Sequence, residues 1–128
     1  MEKLGEQNSE QLQQPLGKIE RLKPRILMAE DDESISGMVK IFLEMAGYEV
    51  DFVVNGVDLV KQLSSKGPGY YSLIITDNTM PGGNGINAIE EIREQMKDFD
   101  DTPIILFTGD GGEKLIERAK NSKVHFMS

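Results

Sequence analysis

Asp77 closes an apolar run, Ser72-Leu73-Ile74-Ile75-Thr76, and is followed by Asn78-Thr79-Met80-Pro81-Gly82-Gly83-Asn84-Gly85. Apolar and small residues that end on an acid and break at once into Pro and Gly predict a buried parallel strand that hands one charged side chain to a loop. A second run, Arg25 to Ala29, ends on Glu30-Asp31-Asp32. If these two strands are neighbours, three or four carboxylates converge in one crevice, where only protonation or a divalent cation relieves their repulsion. The chemistry on offer is cation binding beside a carboxylate nucleophile, with Asp77 as the candidate. A third run, Pro103 to Phe107, ends on Thr108-Gly109, a hydroxyl and a small residue suited to receive an oxyanion such as a phosphoryl group. Each acid taken singly reads equally well as a helix N-cap or a solvated loop charge; the joint pattern is what points to a site.

The elements that must position these residues alternate in type from Arg25 onward. Ile35, Met38, Val39, Phe42 and Met45 follow the spacing of an amphipathic helix, and Gly47 supplies its stop. Val50 to Val54 reads as a strand, Val57 to Leu63 as a short helix and Ser64 to Gly69 as a turn-rich loop. Ile86, Ile89, Ile92 and Met96 mark a third helix, which ends before an acidic loop containing Asp98, Asp100 and Asp101. Leu115, Ile116 and Ala119 mark a fourth helix, and Val124 to Met127 a fifth strand. Almost wholly apolar strands alternating with short helices predict a parallel sheet covered on both faces. The ligand crevice of such a sheet lies at the carboxyl ends of its strands, where Glu30, Asp31, Asp77 and Thr108 all fall.

The 128 residues leave room for one domain, and 38% apolar residues supply an ordinary core. Residues 1–24 form a polar, Gln-rich tail or linker with four acids and four bases, so the net charge of -8 falls entirely on residues 25–128. That acidity repels phosphate backbones and argues against nucleic-acid binding by this chain. No cysteine is present for a disulfide or a thiolate metal site. No apolar stretch approaches the roughly 20 residues needed to span a bilayer, and no signal-like segment is present, so a cytoplasmic location is expected and no membrane partner.

Residues 25–128 resemble a response-regulator receiver domain, the phosphoacceptor module of two-component signalling and phosphorelays. The resemblance rests on Ile26-Leu27-Met28-Ala29-Glu30-Asp31-Asp32 as the first strand with its acidic pair, on Asp77 with Met80-Pro81-Gly82 and Gly85, and on Pro103 to Gly109 as the fourth strand with its hydroxyl. It implies a flavodoxin-like, doubly wound α/β fold with five parallel strands in the order 2-1-3-4-5. It implies that Asp77 takes a phosphoryl group from a phosphohistidine, or from a small donor such as acetyl phosphate. Asp31 would bind Mg²⁺ or Mn²⁺ directly and Glu30 through water, joined by Asp77 and the backbone carbonyl of Thr79; oxygen-only ligands suit these ions rather than zinc. Thr108 and the Gly109 amide would hold phosphoryl oxygens. Thr108 and Phe126 would carry the switch, although Phe126 reads equally as a plain core residue. Asn78, Thr79 and Asp110 occupy positions where the family varies its dephosphorylation rate, and Asp110 also reads as a solvated loop acid. The implied partner is a histidine kinase or a histidine phosphotransfer protein.

The chain departs from the family at its end. The family's lysine would be the residue after Ser128, and the last helix is missing, so the chain is expected to be a fragment or a truncation. The receiver itself belongs to a hybrid histidine kinase or a longer regulator on this reading, and it promotes its own phosphorylation and dephosphorylation rather than acting as a conventional enzyme. The alternative is a pseudo-receiver, a phosphate-independent protein-interaction module. Without the last helix, an apolar strip beside the helix that begins near Ser34 is expected to need a cover, either self-association or Leu12, Leu16, Ile19 and Leu22 of the tail.

Overall fold

A computed structural model describes residues 23–109 and 112–127. The tail expected over residues 1–24 lies outside them but for its last two residues, as do Asp110 and the covering role assigned to Leu12, Leu16, Ile19 and Leu22. Five strands, β1 (Arg25–Ala29), β2 (Glu49–Val53), β3 (Leu73–Thr76), β4 (Ile104–Phe107) and β5 (His125–Met127), form one parallel sheet in the order β2-β1-β3-β4-β5. Four α-helices connect them among the described residues: α1 (Glu33–Met45), α2 (Gly56–Lys66), α3 (Gly85–Gln95) and α4 (Glu113–Asn121). The doubly wound α/β architecture read from the sequence is the one observed.

The sheet's two faces are unequally dressed. Leu27, Ala29, Ile74, Ile104 and Leu106 point to one face, where α2 contributes Leu59 and Leu63, α3 contributes Ile86, Ala88, Ile89 and Ile92, and α4 contributes Ala119. Each fully buried Leu or Ile there stabilises the fold by about 1.5–3 kcal/mol relative to exposure. The opposite face carries a small cluster of Ile26, Met28 and Val50, against which α1 packs only the half-buried Val39 and Leu43. The apolar stripe expected to bury α1 is therefore largely in solvent: Met38 is 53% exposed, Phe42 64% and Met45 79%, and no residue of α1 is buried. The reason is local crowding, or the lack of it, because α1 is the only described helix on that side of the sheet.

Element boundaries differ from expectation by a residue or more at several places, among them β5, which begins at His125 rather than Val124. Helix α2 continues through Ser64, Ser65 and Lys66 before Gly67, at φ 86°, ends it. Ser is only mildly unfavourable in a helix, whereas Gly is free to take the left-handed turn. The acidic loop contains a 3₁₀ turn, Lys97–Phe99, which drives Phe99 into the core at 6% exposure. Strand β2 runs one residue earlier than read, from Glu49 to Val53.

Candidate functional site

The site is assembled at the carboxyl ends of β1 and β3, which are neighbours in the sheet. The Asp77 amide donates to the Ala29 carbonyl at 3.1 Å, and the Glu30 amide donates to the Val53 carbonyl at 2.9 Å, so all three strand ends are stitched together where the acids begin. This is the point at which strand order reverses, the usual place for a ligand crevice in an open α/β sheet. Carboxylate oxygens of Glu30, Asp31 and Asp77 all lie within 4.8 Å of one another.

The adjacent acids Asp31 and Asp32 divide their work. One oxygen of Asp32 accepts from the amides of Ser34 at 2.8 Å and Ile35 at 3.3 Å, capping α1. Such a cap is worth about 1 kcal/mol. Asp31 makes no contribution to that cap and joins Glu30 and Asp77 instead. Glu30 is 4% exposed, and its Oε2 accepts from the Asp32 amide at 3.1 Å. Its Oε1 is buried without a hydrogen-bond partner among the described residues. An orphaned buried carboxylate oxygen is costly unless a proton or a cation meets it. The donor set, three carboxylates and no nitrogen or sulfur, fits a hard divalent ion.

Electrostatics report the same tension. Burial pushes the Glu30 carboxyl above its ordinary value of 4.5, and Asp77, Asp31 and Asp32 add to that, against the bond from the Asp32 amide. Asp77 is raised above 3.8, chiefly by burial and then by Asp31, while the backbone amides of Asn78 and Thr79 oppose the shift. The Asn78 amide donates to Asp77 Oδ1 at 2.7 Å. The folded state thus holds protons that the unfolded chain has released. Without an ion, stability from these groups is greatest below their ordinary values and is lost as pH rises through the raised ones. We expect the thermal midpoint of the ion-free protein to fall as pH rises above 4.5, Asp77→Asn to flatten that fall, and any divalent cation that binds the folded acids to add about 2.7 kcal/mol at a hundredfold excess over its Kd. A melting series in which the ion-free midpoint climbs over that range contradicts the direction of both shifts.

Other candidate residues are distributed around this cluster. Thr108 is buried at the end of β4, beside β3, and its amide donates to the Met127 carbonyl at 3.0 Å. Gly109 is exposed, and a methyl group added there would meet nothing within 4 Å, so protein packing does not itself require glycine at this position. Phe126 sits on β5 opposite Leu106 and packs, half-buried, against the larger core. Thr79 is exposed, whereas the side-chain oxygen of Asn78 accepts from the Ile86 amide at 3.0 Å and so caps α3. That cap was invisible in the sequence, where Asn84 stands at the usual capping position and makes no side-chain cap bond. The structural weight of Asn55, Gly56 and Arg93 was also not read from the sequence. Asn55 followed by Gly56 after a strand signals a helix start and nothing more.

Comparison with known proteins agrees with this geometry. The family model described as response regulator receiver domain matches residues 26–126, and the chain belongs to that family. Over 102 residues it is 33% identical to the CAI-1 autoinducer sensor kinase/phosphatase CqsS of Vibrio cholerae, covering 80% of this chain and 14% of that protein. It is 34% identical over 96 residues to the chemotaxis protein CheY of Treponema pallidum, covering 74% of this chain and 64% of the relative. The chain therefore spans less than two thirds of either relative. Among solved structures, the response regulator TrrA of Thermotoga maritima, in complex with Mg²⁺-BeF, is 32% identical with a TM-score of 0.69, covering 81% of this chain and 84% of that one. The chemotaxis protein CheY4 of Vibrio cholerae shares the fold with a TM-score of 0.72 at 24% identity, over 82% and 84% of the two chains. No described helix is long and apolar enough to cross a membrane.

Proposed function

We propose that this receiver domain is an active phosphoacceptor that takes a phosphoryl group from a phosphohistidine, on a histidine kinase or a histidine phosphotransfer protein, onto Asp77. The observation that carries this reading is the convergence of carboxylate oxygens of Glu30, Asp31 and Asp77 within 4.8 Å of one another, with one Glu30 oxygen buried and unpartnered among the described residues. The TrrA structure, with Mg²⁺-BeF, supports the same assignment of ion. Asp31 and Asp77 would hold Mg²⁺ directly and Glu30 through water, with the Thr79 carbonyl as a further ligand. Bound there, the ion supplies charge neutralisation between a phosphate-bearing donor and the acids.

In the transfer, an Asp77 carboxylate oxygen forms a bond to phosphorus as the donor's P–N bond breaks. The electron pair leaves with the imidazole, which takes up a proton from solvent. With acetyl phosphate the P–O bond breaks and acetate leaves. The Thr108 hydroxyl and the Gly109 amide receive phosphoryl oxygens, and the pull on Thr108, transmitted to Phe126, alters the surface read by a partner. Asn78, Thr79 and Asp110 tune the lifetime of the acyl phosphate.

Incubation with acetyl phosphate and Mg²⁺ followed by mass spectrometry is expected to add one phosphoryl group to the wild type and none to Asp77→Asn. Labelling that survives in Asp77→Asn removes Asp77 from the role. No observation favours the phosphate-independent alternative, since the three acids stand together rather than dispersed.

A further inference from the structure

We infer that Gly56, the first residue of α2, is a positioning residue for the phosphoacceptor site and acts through the loop that follows Asp77; the inference rests on the function proposed above. That loop is pinned at both ends of its path. At the strand, the Gly85 amide donates to the Asn78 carbonyl at 2.8 Å. At its outer bend, the Gly56 amide donates to the Gly83 carbonyl at 2.9 Å. Between these two points lie Thr79, Met80, Pro81 and Gly82, so the height of the bend over α2 bears on where the Thr79 carbonyl points.

The contact at the bend is backbone against backbone. A methyl group on Gly56 would stand 2.6 Å from the Asn84 carbonyl oxygen, 3.2 Å from that of Gly83 and 3.1 Å from the Ala88 Cβ. Two of these three are main-chain atoms, so no rotamer change relieves them. The seam is also close from the other side. A methyl on Gly82, at φ 94°, would meet the side-chain Nδ2 of Asn55 at 2.8 Å, and one on Gly83, at φ 149°, would meet Val57 at 3.1 Å. Asn55 in turn holds the start of α2, accepting from the Asp58 amide at 2.8 Å.

One partner must yield when an atom is inserted, and the packing decides which. Helix α2 is anchored by Leu59 and Leu63, both fully buried, whereas the bend is made of consecutive glycines. The loop therefore shifts, and a shift of even a few tenths of an ångström reaches a ligand oxygen and the nucleophile's neighbours. Displacements near 1 Å at reacting groups commonly cost about a hundredfold in rate. The seam thus ties the entry of α2 mechanically to the phosphoacceptor loop, although no atom of Gly56 belongs to the acid cluster.

The test uses the full chain, with Mg²⁺ alone titrated by NMR and acetyl phosphate as donor. Gly56→Ala is expected to stay folded, to bind Mg²⁺ several-fold more weakly and to label at least about tenfold more slowly at saturating Mg²⁺. Gly37→Ala, at a helical position where an added methyl meets nothing within 4 Å, is expected to match the wild type in both. Wild-type affinity and rate in folded Gly56→Ala overturn the inference while leaving the receiver function standing. A wild type that neither binds Mg²⁺ nor labels overturns both. If Gly56→Ala does not fold, Asn55→Ala removes the prop without adding an atom to the seam. It must then weaken Mg²⁺ binding, with Asn55→Ser, which can still cap α2, recovering it; unchanged affinity in Asn55→Ala counts against the inference.

Discussion

Gly85→Ala is expected to abolish Asp77 labelling and to lower stability by about 2–4 kcal/mol, a fall in melting temperature of roughly 10 °C or more. A Cβ at this position would lie 2.1 Å from the Asp77 carbonyl oxygen, 3.1 Å from its carbon and 2.8 Å from the Thr76 hydroxyl. The first distance is inside any real contact, and it involves the main chain of the proposed nucleophile itself. The Thr76 hydroxyl now donates to that same carbonyl at 2.7 Å, a bond that the methyl group would break. Relief requires α3 to withdraw from the strand end. Helix α3 cannot do so freely, because Ile86, Ile89 and Ile92 are locked in the core. Thermal unfolding and mass spectrometry of the variant check both halves of the expectation. Normal labelling in Gly85→Ala would mean that α3 approaches β3 less closely than described.

The second large effect lies far from the acids. Arg93 is 7% exposed, and among the described residues no carboxylate bonds it. Instead Nε donates to the Ser122 carbonyl at 3.0 Å, Nη1 to those of Phe99 at 2.9 Å and Asp100 at 3.3 Å, and Nη2 to those of Thr102 at 2.9 Å and Lys123 at 3.3 Å. One planar fork thereby joins the 3₁₀ turn, the approach to β4 and the turn between α4 and β5. Burial lowers its pKa, with the nearby Asp100 charge working the other way, yet the group keeps its proton at any physiological pH. Truncation to methionine would leave several buried carbonyls without donors, each costing about 1–3 kcal/mol where water does not reach it. Arg93→Met is therefore expected to lose about 3–5 kcal/mol in urea unfolding. Arg93→Lys should recover only a minor part, since an ammonium cannot reproduce the five-way geometry. A loss under about 1 kcal/mol in Arg93→Met would show that solvent replaces the fork.

How much of this could be read from the chain depends on the range of the forces involved. Strands β1, β3 and β4 were legible because a strand buried on both faces must be an unbroken apolar run, and the acid that ends each of the first two marks where the sheet meets solvent. The trio of Glu30, Asp31 and Asp77 follows from that geometry once the strands are adjacent. Helix α2 was read too short because Ser64 and Ser65 resemble a turn, and the 3₁₀ turn was hidden behind Asp98, Asp100 and Asp101. Arg93 and Gly56 were illegible for a different reason. Their partners lie 6 to 30 residues away for the arginine, and across two loops for the glycine, so neither leaves a local pattern. The exposure of Met38, Phe42 and Met45 was equally beyond local spacing, which says which side of a helix is apolar but not whether anything comes to meet it.

The thin attachment of α1 has a consequence for motion. A helix held to the sheet by two half-buried side chains opens at a small fraction of the global unfolding free energy, so its amides exchange with solvent long before those of α3 or β1. The capping residue of that helix is Asp32, and Asp31 precedes it directly. Fraying of the first turn of α1 releases the Asp32 cap, and Asp31, the residue before that cap, is expected to lose its fixed place beside Glu30 and Asp77. Whatever fixes Asp31 in the cluster is therefore expected to slow the breathing of α1 as well, and the most thinly packed of the described helices becomes the element whose hydrogen exchange reports occupancy at the acids.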